Sequence, residues 1–112
     1  MARLNYVELP SGDVVRDRGF YEAAFGWALT DYGPAYAATT TGDVDLGLDG
    51  DPAAVTAPLA VIEVADLEAA QALVEGAGGR VTVAIFGFPG GRRFHFADPS
   101  GNVLAVMQAV QE

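Results

Sequence analysis

The chain contains no cysteine, so disulfides, thiolate metal sites and thiol nucleophiles are all excluded. It has a single histidine, His95, which leaves a catalytic triad only one candidate base, and no serine sits in a nucleophile-elbow setting. Basic residues are scarce, six against fifteen acids, for a formal net charge of −9. Such a surface repels phosphate backbones and argues against nucleic acid as a partner. No apolar run approaches the roughly 20 residues that a membrane span needs. The opening "MARLNYVELP" also lacks an apolar signal core. A soluble, cytoplasmic protein with no membrane partner is expected.

Apolar residues, by contrast, are plentiful. They make up 51% of 112 residues, which excludes disorder and predicts one domain with a well-covered core. "LNYVELP" reads as a strand stopped by Pro10, and Ser11-Gly12-Asp13 as a turn carrying a helix N-cap. From Val14 to Phe25 the residues Val14, Tyr21, Ala24 and Phe25 can share one helical face, and Gly26 ends the helix. Gly19 inside it is a local cost or a close-packing point. Three short strands are expected next, over Trp27–Asp31, Ala35–Thr41 and Asp43–Leu48, separated by Gly-Pro and Thr-Gly-Asp turns.

Then the order restarts. "LAVIEVA" reads as a strand and Asp66 as an N-cap, and Leu67, Ala70, Val74 and Ala77 mark a helix face ending at Gly78-Gly79. Three further strands are expected over Arg80–Phe88, Arg92–Ala97 and Val103–Val110. The spacing from Asp13 to Gly26 equals that from Asp66 to Gly79, so both helix starts and both stops coincide without a gap. This predicts an α+β fold of two βαβββ modules. Module one covers about residues 3–49, a linker about 50–57, and module two about 58–110.

"FYEAAFGW" after a strand, "VADLEAAQALVEGAGG" and "GGRRFHFADPSGNVLAVMQ" together resemble the vicinal oxygen chelate superfamily. That group contains glyoxalase I, bleomycin-resistance proteins, fosfomycin-resistance enzymes and extradiol dioxygenases. The resemblance covers essentially the whole chain, and it implies a curved mixed sheet enclosing a cleft, with helices outside. Its motifs serve helix packing and turn geometry, so they specify the fold and leave activity open.

The resemblance also implies where a metal would sit. Ligands (His, Glu or Gln) come from the first and last strand of each module, the first-strand one seven residues before the N-cap Asp. Those positions are Tyr6 and Leu59 here. The last-strand ligand of module two falls three residues after the Asn of the DPxGN turn, at Ala105. Its counterpart in module one lies in Asp45–Leu48, where only Asp45 could coordinate. Leucine and alanine carry no donor atom, neutral tyrosine is a weak one, and an open catalytic site needs about three protein ligands. No metal and no cofactor are therefore expected. Asp43, Asp45, Asp49 and Asp51 resemble the start of a calcium loop but lack its downstream glutamate, and Pro89-Gly90-Gly91 is a hairpin turn, not a phosphate loop, because no helix follows it.

Strand alternation assigns the remaining polar residues. Tyr6 and Glu8 share a face of the first strand, and Leu59, Val61 and Glu63 share one in the fifth. If Phe94 and Phe96 pack under the helices, Arg93 and His95 face the opposite way. Tyr6, Glu8, Glu63, Arg93 and His95 are thus the candidate ligand-binding cluster, with Glu8 and His95 the candidates for acid–base catalysis. The plain alternative is a structural Glu8–Arg93 or Glu63–Arg93 ion pair beside a rim histidine.

Three functions stay open. One is a metal-free, small-molecule-sequestering protein of the bleomycin-resistance type, whose ligand the negative charge suits to be cationic. Another is a lyase, isomerase or dioxygenase with a non-standard site, and the third is a dimeric interaction module. A homodimer is expected in any case, because open sheet edges favour pairing and members of the family commonly shield the cleft across a two-fold axis.

Overall fold

A computed structural model describes residues 2–110. The chain divides into two compact units, residues 5–59 and residues 60–110 together with 2–4. The elements run β1 (Arg3–Pro10), α1 (Val14–Phe25), β2 (Leu29–Asp31), β3 (Tyr36–Thr39), β4 (Asp45–Asp49), β5 (Leu59–Glu63), α2 (Leu67–Gly76), β6 (Arg80–Phe88), β7 (Gly91–Ala97) and β8 (Val103–Ala109). The fold is α+β and mixed, each half reading βαβββ.

Within the first unit the strand order is β2-β3-β4-β1, with β1 parallel to β4 and the other pairs antiparallel. In the second it is β6-β7-β8-β5, with β5 parallel to β8 and the rest antiparallel. Order and sense are identical in both halves, so the sequence repeat is a structural repeat.

Both helices begin on the same device. The Asp13 carboxylate accepts from the Arg16 N–H at 3.0 Å, and the Asp66 carboxylate accepts from the Ala69 N–H at 3.0 Å, each satisfying an orphan donor of the first turn. At the far end α1 stops on Gly26, whose φ of 70° suits a residue without a Cβ. The stop of α2 comes earlier than the Gly-Gly pair, with Ala77 as its cap and Gly78 (φ 104°) turning the chain into β6.

Each helix covers one face of its own unit. Over the first, Val14 packs with Leu29, Ala37 and Leu48, flanked by Leu9, Tyr21 and Leu46. Over the second, Leu67, Phe94 and Val106 form the centre, flanked by Ala70, Val74, Val81, Ile85 and Phe96. Phe94 and Phe96 therefore lie beneath α2.

One expectation for α1 fails and one open alternative is decided. Ala24 and Phe25 are exposed, because Phe25 stacks on Trp27 and Tyr21 at ring-centroid distances of 5.2 and 6.3 Å. That aromatic stack also holds Trp27 out of β2, which begins at Leu29. Gly19 faces open space, so it is a cost to the helix and not a packing point.

Turns are closed by aspartates. Asp98 accepts from the Ser100 and Asn102 backbone and from the Asn102 side chain, all at 2.9 Å. Asp49 and Asp51 accept from the Asp51 and Ala53 N–H groups at 2.8 and 2.9 Å, which makes the acidic stretch a pair of turns and leaves it no calcium-loop geometry.

The buried centre beneath α2 should dominate stability. Phe94 is 0% exposed, and Phe94→Ala should cost about 3–5 kcal/mol in urea unfolding. Leu73→Ala on the same helix, at a residue 73% exposed, should stay within about 0.5 kcal/mol.

Candidate functional site

In the first unit, alternation along β1 separates two sets of side chains. Leu9 joins the core beneath α1, and the register pairs it with Leu48. Tyr6 and Glu8 point to the opposite face, where they pair with Asp45 and Gly47 of β4. Tyr36 reaches the same face from β3, since its neighbour Ala37 belongs to the core.

Three of these side chains form one hydrogen-bonded chain. The hydroxyls of Tyr6 and Tyr36 lie 2.5 Å apart, and the Tyr36 hydroxyl donates to Glu8 Oε2 at 3.0 Å. Gly47 makes the room: a Cβ there would overlap both tyrosine hydroxyls. Glu8 is only 5% exposed, and a buried carboxylate needs hydrogen bonds to offset its lost hydration. Burial pushes the Tyr6 phenol up to about 12, helped by the nearby Glu8 and Asp45 charges and opposed by the Tyr36 hydrogen bond. The Tyr36 phenol is raised further, first by burial and then by its bonds to Tyr6 and Glu8. Both phenols stay neutral far above physiological pH.

Asp45 is fully engaged elsewhere. One of its oxygens accepts from the Thr39 hydroxyl (2.7 Å), the Thr41 N–H (2.8 Å) and the Thr41 hydroxyl (2.8 Å); the other accepts from the Gly42 N–H at 3.1 Å. It closes the β3–β4 turn. Leu59 and Ala105 are buried apolar residues, and no three His, Cys, Asp or Glu side chains among the described residues group as metal ligands. The donor set does not fit the metal that the resemblance implies.

The second unit presents its own helix-free face. Across β5, β8 and β7 the register aligns Val61 with Ala105 and His95, and Glu63 with Met107 and Arg93. The Arg93 guanidinium lies 5.4 Å from the ring centroids of both Phe86 and Phe88, a cation–π arrangement. His95 meets the Phe86 ring edge-on at 5.8 Å. It is 9% exposed, and its Nε2 is buried with no hydrogen-bond partner among the described residues. Burial, and secondarily the Arg93 charge, lower its proton affinity below the ordinary value, so the imidazole is neutral at pH 7.

The five expected residues thus fall into two groups. Tyr6 and Glu8 are joined through Tyr36 in the first unit; Arg93 and His95 share Phe86 in the second, with Glu63 in the row of Arg93. Tyr36, Gly47, Phe86 and Phe88 were not singled out from the sequence. Alternation against the buried Ala37 could have flagged Tyr36, but the need for Gly47 appears only once β3, β4 and β1 are in register. Arg92, next to Arg93, instead pairs with Glu68 at the surface through bonds of 2.6 and 3.0 Å.

A family model described as the glyoxalase/bleomycin resistance protein/dioxygenase superfamily matches residues 3–106. None of the curated proteins matches the sequence. Among solved structures, methylmalonyl-CoA epimerase from Mycobacterium tuberculosis is 16% identical, with a TM-score of 0.75, over 96% of this chain and 88% of that one. A glyoxalase/bleomycin resistance protein/dioxygenase superfamily member from Vibrio splendidus is 18% identical, with a TM-score of 0.70, over 98% and 100%. The Mn(II)-bound glyoxalase from Novosphingobium aromaticivorans is 19% identical, with a TM-score of 0.69, over 100% of this chain and 43% of that one. At these identities the likeness is one of fold.

The raised phenol has a pH consequence. Tyr6 ionises at 10.0 when unfolded and at about 12 when folded, so the unfolded state loses its proton first. Stability from this group is complete below pH 10 and falls as pH rises toward 12. Unfolding followed across that window should show this decline, which the further-raised Tyr36 shares, and Tyr6→Phe should make it shallower.

Proposed function

The chain belongs to the glyoxalase/bleomycin resistance protein/dioxygenase superfamily, and we propose that within it the protein is a metal-free binder that sequesters a small molecule. The observation that carries this reading is the fate of the family's ligand positions. Leu59 and Ala105 have no donor atoms, and Tyr6 is committed to a hydrogen bond with Tyr36. In each unit the helix-free face carries polar groups held by apolar and aromatic neighbours, the composition of a ligand-recognition surface. Tyr6 and Glu8 in the first unit, and Glu63, Arg93 and His95 in the second, are the proposed contacts.

A second reading has one observation in its favour. A neutral, buried imidazole with an unengaged Nε2 is suited to take a proton, so His95, and separately the Glu8 carboxylate of the other unit, would be the acid–base candidates of a lyase, isomerase or dioxygenase. The binder reading is preferred because the buried Leu59 and Ala105 leave the family's ligand positions without donor atoms.

Among the described residues no helix is long and apolar enough to cross a membrane, and a cytoplasmic location is part of the proposal. So is a homodimer. Supporting it are the long β6, outermost in its own unit, with Val83 exposed, and the exposed Phe20, Phe25 and Trp27 around α1.

Elemental analysis of the purified protein after a chelator wash should find far less than one transition metal per chain; a stoichiometric, wash-resistant metal would overturn the binder reading. Light scattering at micromolar concentration should give twice the 11.6 kDa of one chain, and a monomer mass would remove the dimer.

A further inference from the structure

We propose that the Tyr6 hydroxyl is a fixed hydrogen-bond acceptor that selects ligands bearing an N–H donor, in particular organic ammonium ions. The inference rests on the small-molecule-binding reading and adds to it the class of ligand.

The argument is one of proton counting. A carboxylate has no proton to give, so Glu8 can only accept. Tyr36 has a single hydroxyl proton, and it goes to Glu8 Oε2. At the 2.5 Å contact between the two phenols, Tyr36 therefore has nothing left to donate, and the proton between them belongs to Tyr6. The chain runs in one direction, Tyr6 to Tyr36 to Glu8. Tyr6 is left with lone pairs and no proton to offer, and it is the partly exposed end of the chain.

A second observation points the same way. The Glu8 and Asp45 charges both act on the Tyr6 oxygen, where they disfavour a phenolate. The negative potential that opposes an anion there favours a cation. The Tyr32 ring, edge-on to Tyr36 at 6.3 Å, adds aromatic surface to the same neighbourhood, and tyrosine faces attract ammonium groups. A ligand carboxylate would meet an oxygen without a proton in a negative field.

The test uses the full-length protein with ring-labelled tyrosine, titrated by NMR with n-butylammonium, butyrate and butyltrimethylammonium, which has the charge but no N–H. Butylammonium should shift the Tyr6 signals and bind at least about tenfold more tightly than either other probe, the scale of one hydrogen bond to a charged group. Tyr6→Phe should lose that factor. Glu8→Gln, whose amide can donate as well as accept, should release the direction of the chain and narrow the preference for ammonium over butyrate. Thermal unfolding of both variants confirms that they are folded, and Tyr6→Phe carries the test if Glu8→Gln is not. Butyrate or butyltrimethylammonium binding as tightly as butylammonium, or an undiminished Tyr6→Phe, would overturn the assignment while leaving a small-molecule binder. No Tyr6 response to any probe would also overturn it, and that result together with a stoichiometric metal would remove the binder reading as well.

Discussion

The structure depends on a single asymmetry: a β-sheet has two faces, and each helix covers only one of them. Leu67, Phe94 and Val106 beneath α2, and Val14, Ala37 and Leu48 beneath α1, exclude water from the covered sides. Because strand side chains alternate, fixing these residues inward fixes their neighbours outward. Tyr6, Glu8 and Tyr36 in one unit, and Arg93 and His95 in the other, are on the helix-free faces for that reason. A one-residue slip of β1 or β7 would bury a carboxylate or a guanidinium under a helix, at a cost far above that of any surface contact.

The acidic composition takes on a more local meaning in this frame. Asp13 and Asp66 start the helices; Asp45, Asp49, Asp51 and Asp98 close turns by accepting backbone N–H groups. Much of the net charge of −9 is thus the consequence of building short loops with aspartate. The carboxylate that stands apart is Glu8, which is buried within a strand and tied to a phenol. Ligand selection is better argued from the field at Tyr6 than from the charge of the whole molecule.

The repeat was legible because its signals are local: an aspartate before each helix, a glycine after it, a period of two in the strands. The same locality explains what was missed. Phe25 fits a helical face by spacing, yet its ring is drawn to Trp27, whose position depends on a turn that spacing does not describe. The chain through Tyr36 depends on three strands being in register at once, and on Gly47 leaving room between them. Alternation tells which residues share a face, whereas adjacency on that face is a long-range property of strand pairing. The family's metal positions were readable only through resemblance, and it is the departure at Leu59 and Ala105 that gives them their meaning.

The central claim is that a one-way hydrogen-bond chain occupies the place where the family's first-strand ligand would otherwise stand. Neutron diffraction from a deuterated crystal near neutral pH would locate its protons directly. The account predicts one deuteron between Tyr6 and Tyr36, bonded to Tyr6, a second between Tyr36 and Glu8, bonded to Tyr36, and none on the Glu8 carboxylate. A deuteron on Glu8, or a Tyr6 hydroxyl turned away from Tyr36, would contradict it.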